Sequence, residues 1–145
     1  MVKINRITIK DLFLSALKRT IQTFWNLMKI IIPVYTFMYI LSLTPALKIF
    51  ADFLAPAMKI FGLPGESALA IILGNFINLY AAMGVIPLLK LSPHQVTTLA
   101  LMLLTSHSQL LETSVFIKLK TRFIFLLFLR IIVAIFVGYL MARIW

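Results

Sequence analysis

A chain of 145 residues that is 62% hydrophobic and only 12% charged, with a mean hydropathy of +1.06, lies far outside the range of soluble domains. Its length leaves room for about four membrane-spanning helices of roughly 20 residues each and for no separate catalytic domain. Zero cysteines exclude disulfides, thiolate metal sites and thiol nucleophiles. A net charge of +10, gathered in the amino-terminal segment and beside apolar ends, points to anionic lipid headgroups as partner rather than nucleic acid.

From Thr8 to about Lys29 the pattern is amphipathic at helical spacing. Thr8 and Asp11 form a capping pair, and Phe13, Leu17, Ile21 and Phe24 recur opposite Ser15, Lys18, Gln22, Asn26 and Lys29. Residues 1–24 are therefore expected as a basic interfacial helix, and residues 25–145 as the bundle. The charge-free run 30–47 predicts the first span, near residues 25–45. The preceding positive region is too long for a signal peptide and lacks a convincing cleavage site.

Residues 47–61 mix Ile49, Phe50, Phe53 and Leu54 with Lys48, Asp52 and Lys59, and predict an interfacial or half-inserted helix. Gly62, Pro64 and Gly65 predict a sharp turn. The second span, 66–89, opens on Glu66, where a helix amino terminus favours a carboxylate or where a cation or polar solute could bind. Gly74, Asn78, Ala81 and Ala82 offer a small-residue surface for close helix approach. Asn75 and Asn78, three residues apart, fall on nearly one face as helix glue or as a recognition pair. Gly84 and Pro87 weaken the second half, so a broken or re-entrant helix fits here.

Ser92 and Pro93 predict a capped helix start for a third span, 94–117. On an unbroken helix His107 points well away from Glu112, and both can line one site only if the TSHSQ stretch is distorted. Ser106, Ser108 and Gln109 raise the functional weight of His107. Lys118, Lys120 and Arg122 form a basic loop before the last span, 123–143. Arg130 lies two turns inside that span. Snorkelling is the favoured reading because the loop is only about 12 Å away; pairing with Glu112, Glu66 or Asp52 is the alternative.

The segments GLPGESALAIILGNFINLYAAMGVI and LSPHQVTTLALMLLTSHSQLLETSVFIKL resemble the nucleoside recognition, or Gate, domain of nucleoside transporters, B-type ferrous-iron transporters and spore maturation proteins. The resemblance covers about residues 46–120. It implies a site built from Gly65, Glu66, Asn75, Asn78, His107, Ser108, Glu112 and Thr113, with no catalytic residue, metal or cofactor. It also implies two units per working protein, supplied here by a homodimer or a related subunit, because sites of this kind lie between inverted repeats.

The expectation is an all-α polytopic membrane bundle, in the cytoplasmic membrane of a prokaryote, that binds a small polar solute and exposes it alternately to either side. A non-transporting scaffold is the competing class. An intramembrane hydrolase using Ser108 and His107 rests on adjacency alone. Four crossings would place Lys48, Lys59, Lys118, Lys120 and Arg122 on one side, and the amino-terminal cations with Lys90 and Arg143 on the other. That bias is weak by the positive-inside rule and permits an antiparallel dimer.

Overall fold

The computed structural model describes residues 9–144, so Thr8 of the expected cap lies outside the described residues. Those residues form seven α-helices and one 3-10 turn, with no strand among them: α1 (Ile9–Ser42), α2 (Pro45–Lys59), α3 (Ser67–Phe76), α4 (Leu79–Val85), the turn Ile86–Leu88, α5 (Pro93–Ser106), α6 (Gln109–Lys118) and α7 (Phe123–Ile144). Two of them, α1 and α7, are long and apolar enough to cross a membrane. Only Ala134 and Gly138 of α7 are buried, while Phe128, Ile132 and Phe136 face outward. In water such a surface would far exceed the few hundred Å2 a soluble monomer exposes. Against lipid it carries no such penalty.

Helix α1 runs unbroken through the boundary expected at residue 24, since neither glycine nor proline precedes Pro33 within it. Its 34 residues extend about 51 Å at 1.5 Å per residue, so residues 9–24 are not a separate element. Helix α5 begins as the sequence predicts. Ser92 Oγ accepts from Gln95 N at 3.3 Å, Ser92 N donates to Gln95 Oε1 at 2.9 Å, and Pro93 occupies the first turn.

The expected second span is instead two short helices folded back on each other. A Cβ at Gly74 would lie 3.2 Å from the Ala82 Cβ, whereas an unbroken helix would separate those residues by about 12 Å along its axis. The reversal sits at Ile77 and Asn78, not at Gly84 and Pro87, where the backbone merely tightens into the 3-10 turn. Asn78 is extended, and its Oδ1 accepts from Ala81 N at 2.9 Å, capping α4. The small-residue surface expected to receive another helix is thus consumed within the hairpin, where Gly74 also meets the tip of Leu103.

The hairpin starts and finishes at one end of the bundle, because Gln95 Nε2 donates to the Gly62 carbonyl at 3.1 Å. Helix α7 returns antiparallel to α5 and α6. Gly138 faces Met102, with 2.5 Å from a built Cβ to Sδ, and Gly62 faces Ala142. Lys59 therefore shares an end with Arg143, as both line one cavity, while Lys118, Lys120 and Arg122 lie at the opposite end of α7. The expected grouping of Lys59 with that loop is corrected by the hairpin, which adds no traverse of the bundle.

The core fills the space between the hairpin and α5, with Val85, Leu99 and Leu103 fully buried and Met38, Phe61 and Leu63 around them. The Gly62–Gly65 turn locks against α2, where any Cβ on Gly65 would run into the Ala51 carbonyl. Gly65→Ala is expected to cost about 1–3 kcal/mol through the backbone shift it forces. Thermal unfolding in detergent checks this, and an unchanged Tm would show that the turn can relax.

Candidate functional site

Two helix breaks meet inside the bundle. The first, at Ile77 and Asn78, ends α3; the second, at His107 and Ser108, ends α5. They are joined through backbone: Ser108 N donates to the Gly74 carbonyl at 2.8 Å. Ser108 reaches this position in the left-handed region, φ +55 and ψ +34, at a cost of about 1–2 kcal/mol for a residue with a Cβ. His107 is extended, with φ −63 and ψ 160.

Breaking α5 frees carbonyls at its carboxyl end and N–H groups at the start of α6. Arg130 of α7 covers the break. Its Nε donates to the Thr105 carbonyl at 3.1 Å, Nη2 to the His107 carbonyl at 3.2 Å, and Nη1 pairs with the Glu112 carboxylate. The polarity is favourable at both ends. The guanidinium faces the negative end of α5, and Glu112 stands in the first turn of α6, at its positive end. The pair is largely shielded, with side-chain exposures of 21% for Arg130 and 32% for Glu112.

The structure thus decides the reading of Arg130 for pairing rather than snorkelling. A side chain aimed at headgroups would have left two carbonyls and a carboxylate without partners in an apolar interior, where each such loss costs about 1–3 kcal/mol. The break that brings His107 and Glu112 to one guanidinium is the distortion on which their joint use depended.

Of the eight residues singled out from sequence, His107, Ser108 and Glu112 form this cluster, and Asn75 and Asn78 flank it. The two amides do not share a face, because the helix reverses between them. Asn75 Nδ2 donates to the Ile71 carbonyl at 2.7 Å, and Asn78 caps α4. His107 turns back along its own helix, with Nδ1 3.1 Å from the Leu103 carbonyl. As a hydrogen bond this contact has Nδ1 as donor, since a carbonyl can only accept. Gly65 and Glu66 stand apart from the cluster. Glu66 precedes α3 with no cap hydrogen bond, about 14 Å along the helix from Asn75. Thr113 follows Glu112 and makes no side-chain bond to the cluster.

Beside the crossing lies a cavity of about 340 Å3. Its walls come from α3, α5, α6 and α7 and are mostly apolar, as in Ile72, Phe76, Leu127 and Ile135, with Asn75, Ser106 and Gln109 as polar exceptions. Ser106 Oγ is satisfied by the Met102 carbonyl at 2.9 Å. Gln109 is 8% exposed, and its buried Nε2 has no partner. Phe76 and Leu110, both exposed, stand at the cavity's edge. Gln109, Arg130 and Gly74 were therefore the residues underweighted from sequence. An arginine inside an apolar span, opposite a lone acid on a neighbouring helix, was the signal that could have found the pair.

No family model matches the chain, and no solved structure matches it. An uncharacterized membrane protein of Bacillus subtilis, YvoD, is 37% identical over 136 residues. The match takes in 94% of this chain but 44% of that protein, so the chain spans less than half the length of its relative.

Arg130→Met is expected to destabilise the fold more than Glu112→Gln, because it strips two carbonyls as well as the carboxylate. Glu112→Gln leaves Arg130 its backbone bonds and should cost about 0.6–2 kcal/mol. The two losses should be non-additive by about 0.5–3 kcal/mol in a double-mutant cycle of detergent unfolding. Strict additivity would mean that the ion pair contributes nothing.

Proposed function

We propose that this chain is an integral membrane protein acting as one unit of a small-solute transporter, with the crossing of its two broken helices as the point where solute or ion is handled. The observation that carries this reading is the crossing itself: unwound backbone held inside an apolar bundle, beside a cavity whose wall includes the unpaired Gln109 amide. Irregular backbone at membrane depth is tolerated where it is buried or lines a cavity, and discontinuous helices of this kind build transporter sites. The resemblance to the nucleoside recognition domain supports the same class and makes a nucleoside-like polar solute the first to try.

A single unit offers few free polar groups, since Asn75, Asn78, Ser106, Glu112 and Arg130 all have partners within the chain. That observation also favours the second reading, a non-transporting scaffold. Transport requires a second unit to complete the lining. The membrane-protein relative, with more than half of its length outside the match, has room for one in the same chain. A second copy, a related subunit or a second unit in the same chain would supply it.

In the bilayer the α3–α4 hairpin is read as re-entrant, leaving α1, the broken α5–α6 unit and α7 as the crossings. Ile60→Cys and Lys120→Cys, made singly in a chain without native cysteine, should then label from opposite sides. Labelling from one side would overturn this topology.

Uptake by the purified protein in liposomes separates transport from scaffold. With transport through the crossing, Glu112→Gln lowers uptake beyond its effect on Tm, and rate losses above about 30-fold exceed what a membrane hydrogen bond of up to roughly 2 kcal/mol can explain as packing. Wild-type uptake in Glu112→Gln would exclude this site.

A further inference from the structure

At the end of the bundle where the hairpin returns, a second cavity of about 390 Å3 is lined by Lys59, Ile60, Gly62, Tyr139, Ala142 and Arg143. We propose that this is a binding site for a phosphate group, carried by an anionic phospholipid headgroup.

Two cations from separate helices converge on one space. Neither Lys59 nor Arg143 forms an ion pair among the described residues, where the single salt bridge joins Arg130 to Glu112. Each lies in the last turn of its helix, so each partly neutralises a carbonyl end. About half a negative charge at each of two helix ends, set against two unit charges, leaves roughly one positive charge in the cavity. Among the described residues, no carboxylate lines it.

The arginine is also held in place. Arg143 stacks over Tyr139 with its guanidinium carbon 5.1 Å from the ring centroid, which restrains the longer side chain while leaving its N–H edge free to donate. Gly62, at φ +66, makes the turn that follows Lys59, and Gln95 ties that turn to α5. A planar guanidinium edge beside a mobile ammonium suits tetrahedral phosphate oxygens.

Position selects the source. The 22 residues of α7 extend about 33 Å, close to the hydrocarbon thickness of roughly 30 Å, so Arg143 stands at headgroup level. Exposed Ile60 and Tyr139 flank the cavity where acyl chains would descend. The site rests on the membrane location alone, so its failure would leave the transport reading untouched.

The test uses the full chain purified in detergent, with retained lipid measured by native mass spectrometry after exposure to phosphatidylglycerol or phosphatidylcholine. Phosphatidylglycerol should be retained in preference. Lys59→Gln with Arg143→Gln should weaken that retention at least about 10-fold, without lowering Tm, because both side chains are exposed. Tyr139→Leu, which keeps both charges, should weaken it several-fold. Lys118→Gln with Lys120→Gln removes the same charge from the opposite end and should change nothing. Displacement of the lipid by millimolar inorganic phosphate, in the parent but not the Lys59 and Arg143 variant, would keep the phosphate site and assign it to a free ligand. Equal losses in both charge-removed pairs, or equal retention of the two lipids, would overturn it.

Discussion

A helix that breaks away from water must find partners for the backbone groups it releases, and this requirement organises the bundle around Arg130. Fixing the guanidinium between the Thr105 and His107 carbonyls sets the depth of α7 relative to α5. Its remaining edge then requires an anion on α6, and Glu112 is the acid within reach. The break at Ile77 and Asn78 is satisfied differently. Ser108 takes the Gly74 carbonyl, and Asn78 supplies its own cap, so the hairpin and the broken unit hold each other open. Small residues are needed at the same place, because only Gly74 allows Leu103 and Ala82 to close over the junction.

Much of this was legible as local chemistry. The Ser92, Pro93 and Gln95 start of α5 and the Gly62 to Gly65 turn follow from residue types that act within a few positions of themselves. At TSHSQ the sequence posed a condition rather than an answer: His107 and Glu112 could line one site only through a distortion there, or with His107 facing a different helix. What hydropathy could not show was direction. A run of apolar residues that continues as one helix and a run that folds back on itself have the same mean hydropathy, and the difference rests on Asn78, whose side chain caps its own backbone instead of a neighbour's.

The same limit explains Arg130. Distance along α7 to the basic loop is a one-dimensional quantity and favoured an outward side chain. The competing partners were carbonyls exposed by a break on another helix, which no count along the chain reveals. Glu66 illustrates the reverse case. Its place at a helix start was readable, but membership in a shared site was inferred from a resemblance, and the fold sets it apart from the crossing.

The order of residues along the chain adds a temporal constraint. Helices α3 and α4 are each too short to cross a bilayer, and although Asn78 and α1 already support their reversal, several of the groups that fix it come later in the chain. The Gly74 carbonyl waits for Ser108, the Gly62 turn for Gln95, and the second break for Arg130. During synthesis the hairpin therefore emerges with α1 and α2 in place but before the α5 and α7 side of its socket exists. Its open backbone groups, the Gly74 carbonyl among them, need other partners until α5 and α7 are made. Assembly of this bundle ends, rather than begins, with its middle.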